Sequence, residues 1–365
     1  MQRREFSKLV GALPALSQAA APKRIRTAMI TGAGGTHLNN YFESLALAEE
    51  VASVCVCDPS GESDALARKL LGAKLTNSYK DIGALFRKEK PDLALISMEA
   101  ATAPPAIDAA LDAGCHVLAE KPGCVHVEDF EKLNRKAKAR NRQLLLALGN
   151  RVDPTMIEAR RIFHAGKIGK LYGVEVHIIA DQTRLTKPGY SKDWKAQKSR
   201  SGGGHLIWLG IHWLDLAVFV TGLPVRQVTG FTANVCGQPF DVEDSAVVAM
   251  QFENGSLGTL TSGYYLDKGY HSHLKVWGSQ GWLQVHKHTE IPLEWYSTQD
   301  KNPQVKRWKK TGPATGDVYP IFVRAVARAC AGLEPFPLNG DESLAALKAI
   351  FACYRAAETG KTQRV

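Results

Sequence analysis

The feature that most constrains the fold is a regular alternation of short apolar strands and helices that begins near residue 25. The apolar runs lie at 26–31, 54–58, 91–97, 116–120 and 143–149. Strands that are apolar on both faces are typical of a parallel sheet covered by helices on both sides. We therefore predict a doubly wound α/β domain over residues 24–150.

After residue 150 the pattern changes to strands that follow one another, separated by turn sequences such as Glu253-Asn254-Gly255. Consecutive strands joined by tight turns indicate an antiparallel sheet. Residues 151–365 are therefore predicted to form a second, α+β domain with an open and mostly antiparallel sheet. Its predicted strands lie at 173–180, 225–235, 246–253, 256–265, 272–278 and 282–286, and its predicted helices at 154–165, after Gly204, at 317–331 and at 341–359.

Charge and hydropathy exclude two classes of partner. The net charge is +10, but no basic stretch alternates with aromatic residues as in a single-strand binding surface, so we expect no nucleic acid. No apolar run reaches the roughly 18–20 residues that cross a bilayer, so we expect no membrane partner. The most apolar helix candidate, at 206–220, contains His212 and Asp215 and is predicted to be a buried core helix.

The first 21 residues resemble an export signal. Arg3-Arg4 is followed by a short apolar run and by small residues, with Ala19 and Ala21 placed for cleavage. The pattern is similar to a twin-arginine signal, although Ser7 stands where leucine is more usual. We expect a periplasmic or otherwise exported bacterial protein, or a cytoplasmic one if this segment is only a basic terminus. Seven cysteines without a C-x-x-C motif fit folding in the reducing cytosol before transport.

A glycine-rich turn follows the first strand. Gly32 and Gly34 lie where the strand turns into a helix, so a pyrophosphate can approach the backbone and the positive end of the helix. Asp58 ends the second strand, where a carboxylate accepts hydrogen bonds from ribose hydroxyls and repels a 2′-phosphate. The combination predicts NAD as cofactor, with NADP disfavoured; the alternative is a tight turn without a ligand.

Several motifs together resemble the Gfo/Idh/MocA oxidoreductase family. The likeness covers about residues 25–360 and implies an N-terminal Rossmann domain, a C-terminal domain whose open sheet often serves oligomerisation, and a sugar or cyclitol substrate between them. A homo-oligomer, dimer or tetramer, is therefore expected. The motifs are Glu120-Lys121-Pro122, 113–118, Asn150 to Pro154, Ile168-Gly169, Asp193-Trp194, 201–204 and Gly210-x-His212-x-x-Asp215.

Lys121 is the first catalytic candidate. It follows a strand of the parallel sheet, at the edge where open α/β sheets bind ligands. An ammonium there can polarise a hydroxyl and stabilise the alkoxide that develops. Glu120 is positioned to accept hydrogen bonds from the nicotinamide ribose. With the turn and the family resemblance, the predicted cofactor contacts are Gly32, Gly34, Gly35, Thr36, His37, Asp58, Ser97, Glu120, Lys121 and Asn150.

The helix after Gly204 carries the second catalytic candidate. Its polar residues are spaced by three, four and three positions, which on a regular α-helix places them on one face. His212 is predicted to be the general base, because imidazole accepts protons near neutral pH. Asp215 is expected to orient His212 or to cap local structure. The predicted substrate contacts are Trp194, His205, Trp208 and Asp215.

Two positions depart from the family. Trp208 stands where an aspartate is usual and Ala103 where a histidine is frequent. An indole stacks on a sugar ring but relays no proton, so His205 is the candidate substitute for the missing carboxylate. The pairs His271-x-His273 and His286-x-His288 each place two imidazoles on one strand face. No consistent third ligand is evident, so no metal site is predicted.

The predicted function is an NAD-dependent oxidoreductase acting on a hydroxyl of a sugar, cyclitol or glycoside. NAD is not expected to be freely available outside the cytosol, so an exported enzyme would retain its cofactor and recycle it in place. Two alternatives stay open: a redox-neutral, NAD-using glycosidase or lyase, and a catalytically silent sugar- or NAD-binding protein. The sequence identifies neither the sugar nor the reacting carbon.

Overall fold

The computed structural model describes residues 24–32, 34–286, 289–309 and 318–365. The predicted export signal at 1–21, Ala33 of the glycine turn and His288 lie outside the described residues. All seven cysteines are free thiols.

Within the described residues, six parallel strands form the N-terminal sheet in the order β3-β2-β1-β4-β5-β6. The strands are β1 Ile25–Thr31, β2 Val51–Cys57, β3 Leu75–Tyr79, β4 Leu93–Ser97, β5 His116–Ala119 and β6 Leu144–Leu146. The helices between them are α1 Leu38–Leu47, α2 Asp64–Leu71, α3 Ile82–Glu89, α4 Ala103–Asp112 and α5 Val127–Ala139. Strands β4 and β6 are buried along their whole length. The predicted doubly wound domain is confirmed.

Nine described strands form the second sheet, in the order β14-β13-β12-β11-β7-β10-β9-β8-β15. The strands are β7 Leu171–Asp181, β8 Val225–Ala233, β9 Ser245–Phe252, β10 Leu257–Leu266, β11 Tyr270–Gly278, β12 Gly281–His286, β13 Leu293–Ser297, β14 Lys306–Trp308 and β15 Gln363–Arg364. Strands β7 and β10 pair in parallel, and the other neighbouring pairs in this described sheet are antiparallel. The prediction of a mostly antiparallel sheet is confirmed.

Helices pack on one face of this second sheet. They include α6 Pro154–His164, α8 Ile211–Thr221 and α10 Gly340–Thr359, with α7 Lys198–Ser201 and α9 Tyr319–Cys330 nearby. Alternate side chains of each strand point to the opposite face, which no described helix covers there. Phe231, Val247 and Leu257 on that face are exposed. The sheet is therefore open on its outer face over the described residues.

The helix after Gly204 begins with an irregular turn. Residues Leu206–Gly210 form a π-helical turn that continues into α8. The extra residue of a π turn rotates the preceding side chains relative to the following ones. The stretch Lys198–Thr221 is long and apolar enough to cross a membrane by length and composition, but 78% of its apolar window is buried inside the protein, as in a core helix.

Both C-terminal helices pack against the N-terminal domain, and α10 also packs on β8 of the second sheet. In α9, Arg324 and Arg328 form ion pairs with Glu50, which precedes β2. In α10, the Ser343 hydroxyl accepts a hydrogen bond from Leu146 N in β6, at 3.1 Å. These contacts hold the two sheets together. Tyr319 and Phe322 of α9 line the cleft between the sheets.

Candidate functional site

A cleft of about 750 Å³ lies at the carboxyl ends of the parallel strands, between the two sheets. Residues that follow β1, β5 and β6 line one side, and the loop after β7 together with α8, β10 and β11 lines the other. Such a crevice is where open α/β sheets bind ligands. The lining on the parallel-sheet side includes Thr36, His37, Lys121, Ala147, Gly149 and Asn150, and the opposite side includes Asp181, Arg184, Lys187, Tyr190, Asp193, Lys195, Trp208, His212, Trp213, Tyr264, Tyr270 and Ser272.

The glycine turn is held rigidly and leaves space above its first glycine. Ser97 Oγ donates to the carbonyl of Thr36 at 2.7 Å and accepts from Thr36 N at 3.0 Å, which ties the turn to β4. A Cβ on Gly35 would lie 2.2 Å from Thr31 Oγ1, whereas a Cβ on Gly32 would meet nothing within 4 Å. The open space beside a backbone turn before α1 fits the pyrophosphate of a dinucleotide.

Asp58 lies where the sequence predicts it, directly after β2. Its carboxylate accepts hydrogen bonds from the backbone and side chain of Ser60 and of Ser63, at 2.7–2.9 Å. Burial alone would raise the pKa of Asp58, but these hydrogen bonds outweigh it and hold the pKa at about 2. A permanent negative charge therefore stands at this strand end. Both of its oxygens serve the following turn, and contact with a ribose stays a prediction.

Glu120 is a buried carboxylate that contacts His37, a residue of the cleft lining. Its buried carboxylate is hydrogen-bonded to His37 Nδ1 at 3.2 Å and accepts from the hydroxyl of Tyr41 and from Lys121 N. The ring of His37 packs against that of Tyr319 in α9, with ring centroids 5.3 Å apart. Although burial raises the pKa of Glu120, the bonds with His37 and Tyr41 and the charge of Lys121 lower it overall. Glu120 is thus an anion that fixes His37, itself a lining residue.

Lys121 is a buried cation at the floor of the cleft. Its side chain is 4% exposed, its Nζ donates to the main-chain oxygen of Trp208 at 2.7 Å, and it lies 3.9 Å from the centroid of the Trp208 ring. Burial, together with the smaller effects of the Arg184 and Lys195 charges, outweighs the opposing effect of Glu120 and lowers the pKa of Lys121 to about 8. The ammonium is therefore held in place by a neutral partner and titrates close to physiological pH.

Two tryptophans connect the glycine turn to Lys121. Trp194 donates from Nε1 to the carbonyl of Gly34 at 3.0 Å, and its ring lies 5.1 Å from that of Trp208. Trp194 is 4% exposed and packs behind the lining, so the structure gives it a positioning role between the two sheets. Trp208 does line the cleft, next to His212 on the following helical turn. The structure thus brings Lys121, Trp208 and His212 together.

His205 and Asp215 do not join them. His205 is fully buried, its Nδ1 is hydrogen-bonded to Ser262 Oγ at 2.6 Å, and burial lowers its pKa to about 3. Asp215 accepts two hydrogen bonds from Arg151, at 2.6 and 2.8 Å, in a buried bidentate ion pair. The predicted common face assumed a regular helix, and the π turn between the first and last of these residues removes that register. Both placements argue against direct contact with substrate.

Two groups of residues in the site were not predicted. Arg184 and Tyr264 line the cleft on the second sheet's side, and Arg184 Nη2 donates to the hydroxyl of Tyr270 at 2.6 Å. The only signal for Arg184 in the sequence is the polar loop at 181–201, and Tyr264 lies in the predicted strand at 256–265. The second group is Glu243 and Tyr354, which contact the start of the helix that carries Trp208 and His212.

Glu243 holds the start of the helix that carries Trp208 and His212. Its carboxylate accepts from Gly204 N at 2.7 Å, from Leu206 N at 2.8 Å and from the hydroxyl of Tyr354 at 2.9 Å. A Cβ on Gly204 would lie 1.8 Å from the carbonyl oxygen of Glu243, so this contact requires glycine. The glycine run at 202–204 therefore positions the helix, and its role lies in packing.

Comparison with known proteins agrees with this architecture. A family model described as an oxidoreductase family with an NAD-binding Rossmann fold matches residues 25–148, and a model of the GFO/IDH/MocA C-terminal domain matches residues 156–284. D-glucoside 3-dehydrogenase of Escherichia coli is 27% identical over 267 residues, covering 69% of this chain and 74% of that protein. Myo-inositol 2-dehydrogenase of Thermotoga maritima is 24% identical, covering 66% and 70%. The solved WlbA dehydrogenase from Bordetella pertussis, in complex with NADH and UDP-GlcNAcA, is 20% identical with a TM-score of 0.77, covering 94% of this chain and 99% of that one.

Proposed function

Because the chain belongs to the Gfo/Idh/MocA oxidoreductase family, we propose that it is an NAD-dependent enzyme that oxidises or reduces a carbon bearing a hydroxyl in a sugar, cyclitol or glycoside. The observation that carries the proposal is Lys121, a buried ammonium in the cleft with its pKa lowered to about 8. Its similarity to a D-glucoside 3-dehydrogenase and to a myo-inositol 2-dehydrogenase supports this class of substrate.

The cleft offers the chemistry that such a reaction needs. NAD⁺, when bound, supplies a hydride acceptor for the alcohol carbon. Lys121 Nζ, held by the carbonyl of Trp208, has further N–H groups to donate to the substrate oxygen and stabilises it as it becomes an alkoxide. His212 takes the hydroxyl proton as general base. In the reverse direction the same two groups polarise a carbonyl and return the proton.

The remaining lining suits a carbohydrate. Trp208, Trp213 and Tyr264 offer aromatic faces on which the C–H side of a sugar ring packs. Asp181 and Arg184 offer an acceptor and donors for ring hydroxyls. A cleft that combines aromatic side chains with convergent polar groups fits a small-molecule site.

The test replaces the ammonium while keeping the length of the side chain. Lys121→Met is assayed against a panel of sugars, cyclitols and glycosides, with products identified by mass and NADH followed by absorbance. Because the ammonium acts on developing charge, we expect kcat to fall by roughly 10²-fold or more with little change in NAD affinity. The matched control is Lys69→Met on the exposed surface of α2, which we expect to behave as the wild type.

Three outcomes of that panel separate the proposal from its alternatives. Oxidised product with stoichiometric NADH supports the proposed dehydrogenase. Cleaved aglycone without a net change in NADH identifies a redox-neutral glycosidase or lyase, and no turnover in either protein identifies a silent binding protein. Full activity of Lys121→Met contradicts the proposed role of Lys121.

We further propose that the cofactor is retained and recycled in place. Trp194 supports this, since its indole lies against the glycine turn at Gly34 and covers that side of the proposed pyrophosphate position. The test is to denature the purified protein and to identify the released nucleotide by mass spectrometry. Protein that carries no NAD and consumes added NAD stoichiometrically contradicts this proposal.

We propose that the protein is exported through the segment at 1–21, because its Arg3-Arg4 pair, short apolar run and small residues resemble a twin-arginine signal. Replacing Arg3 and Arg4 by lysine is expected to retain the precursor in the cytoplasm, as followed by cell fractionation. A wild-type protein that is itself found only in the cytoplasm contradicts export.

We also propose a homo-oligomer in which a second copy covers the outer face of the nine-stranded sheet at strands β8, β9 and β10. Phe231 and Leu257 are 79% and 62% exposed there, and neighbouring exposed apolar side chains are typical of an interface. Light scattering on Phe231→Lys is expected to show a smaller species than the wild type. A wild-type monomer contradicts this assembly.

A further inference from the structure

Three histidines lie side by side on the outer face of the nine-stranded sheet. In the strand register His177 of β7 is opposite His273 of β11, which is opposite His286 of β12. Glu175 precedes His177 by two residues on the same strand and therefore points to the same face. These side chains are half-buried. The inner face at this point, with Ile178 and Ser272, lines the substrate cleft, so the sheet separates the two.

The donor atoms of this group converge. Glu175 Oε1 is 2.9 Å from His273 Nε2 and 3.3 Å from His177 Nε2. The rings of His177 and His273 are stacked, with centroids 4.5 Å apart and planes inclined by 17°. One ligand atom from each of Glu175, His177 and His273 lies within 4.8 Å of the other two. The ring of His286 is 6.0 Å from that of His273, at the end of the row.

We infer that Glu175, His177 and His273 form a binding site for a divalent transition-metal ion such as Zn²⁺, on the sheet face opposite the substrate cleft. Two imidazoles and one carboxylate are the donor set that Zn²⁺ and Co²⁺ prefer, whereas Mg²⁺ and Ca²⁺ prefer oxygen ligands alone. Three protein ligands leave a fourth position for water or for His286.

The observed distances are close to those of such a site. With metal–ligand bonds of about 2.0–2.1 Å in a tetrahedron, ligand atoms lie roughly 3.3 Å apart. The distance from Glu175 Oε1 to His177 Nε2 equals this value, and the distance from Glu175 Oε1 to His273 Nε2, 2.9 Å, is 0.4 Å shorter.

Without metal, Glu175 Oε1 is hydrogen-bonded to His273 Nε2 and lies 3.3 Å from His177 Nε2. With metal, the same carboxylate and both imidazoles would bind the ion. The two arrangements differ in whether Co²⁺ binds with defined stoichiometry and tetrahedral geometry.

The experiment titrates untagged, chelator-treated full-length protein with Co²⁺, followed by visible absorption and by the shift in Tm. We expect one Co²⁺ per chain, the intense d–d bands of four-coordinate Co²⁺, displacement by Zn²⁺, and a metal-dependent rise in Tm. Glu175→Gln and His273→Ala are expected to weaken binding about tenfold or more and to lose the Tm shift. The control, His271→Ala, changes an exposed histidine on the same strand face and is expected to bind as the wild type.

Measuring the Tm of each variant with chelator and with metal separates loss of metal binding from loss of folding. No saturable binding by the wild type overturns the inference, and so does unchanged binding in the double variant His177→Ala/His273→Ala. Both results leave the cleft chemistry unaffected, because the site lies on the other face of the sheet.

Discussion

Trp208 offers the sharpest test of how the cleft controls Lys121. Lys121 Nζ lies 3.9 Å from the Trp208 ring and 2.7 Å from its main-chain oxygen. Trp208→Asp replaces the neutral ring by a carboxylate and leaves the main-chain oxygen in place. The ammonium therefore keeps its anchor while its electrostatic surroundings change.

The size of the effect follows from the distance. Two unit charges about 4 Å apart interact by ~4 kcal/mol at an effective dielectric constant of about 20, which corresponds to roughly 3 pKa units. The shorter aspartate side chain lies farther from Nζ than the ring, so we expect an upward shift of about 1–2 units from the wild-type pKa of about 8. An ammonium that persists to higher pH stabilises alkoxide over a wider range.

The assay is the pH dependence of kcat/KM for alcohol oxidation, which reports groups of the free enzyme. If the ammonium form of Lys121 is required, wild-type activity falls as the pH rises through about 8. In Trp208→Asp this falling limb moves to higher pH. Trp208→Asn removes the ring without adding charge, and its limb is expected to move much less.

Two results would refute the reasoning. A falling limb at the same pH in the wild type and in Trp208→Asp shows that the limb does not report Lys121. Equal shifts in Trp208→Asp and Trp208→Asn show that loss of the ring, and not the added charge, sets the pKa.

Two further variants test the placement of predicted site residues. Asp215→Asn leaves Arg151 without its bidentate partner, so we expect a loss of about 3–5 kcal/mol in denaturant unfolding and an unchanged kcat per folded enzyme. Glu342→Gln changes the more exposed partner of the same arginine and is expected to lower the free energy of unfolding by less. If Asp215→Asn instead loses kcat at unchanged stability, Asp215 contacts the substrate. Gly32→Ala is expected to keep the wild-type Tm but to bind NAD at least about tenfold more weakly, because its Cβ enters the space assigned to the pyrophosphate. Gly35→Ala is expected to lower Tm, and wild-type NAD affinity in Gly32→Ala contradicts the cofactor placement.

The buried strands of both sheets were predictable because continuous or alternating apolar runs report burial directly. The strand β3 escapes this signal, since its residues at the sheet edge are mostly polar and exposed. Strands β13, β14 and β15 are short and lie toward the edges of the second sheet. Strands at an edge bury fewer side chains, so their sequences need not be apolar. Edge strands therefore carry little of the pattern on which such predictions depend.

The candidate site divides in the same way. Lys121 and the glycine turn were predictable, because strand ends of a parallel sheet converge at one edge. The grouping of His205 and Asp215 with Trp208 and His212 was not, because spacing rules assume a regular helix and the π turn is set by tertiary packing. Arg184 meets Tyr270 only through folding, since 86 residues separate them along the chain.

Trp208 also explains how the cleft holds the ammonium of Lys121, the catalytic group we propose, without the carboxylate that the family resemblance leads one to expect. Lys121 contacts Trp208 in two ways: it donates a hydrogen bond to the main-chain oxygen, and it makes a cation–π contact with the electron-rich ring. Both attract a cation, but neither carries a full negative charge. Burial therefore dominates, and the pKa of Lys121 falls to about 8 where a carboxylate would raise it. Trp208 thus keeps the ammonium in position and leaves its pKa close to neutral pH, and the role we propose for Lys121 is to stabilise the alkoxide while His212 carries the proton.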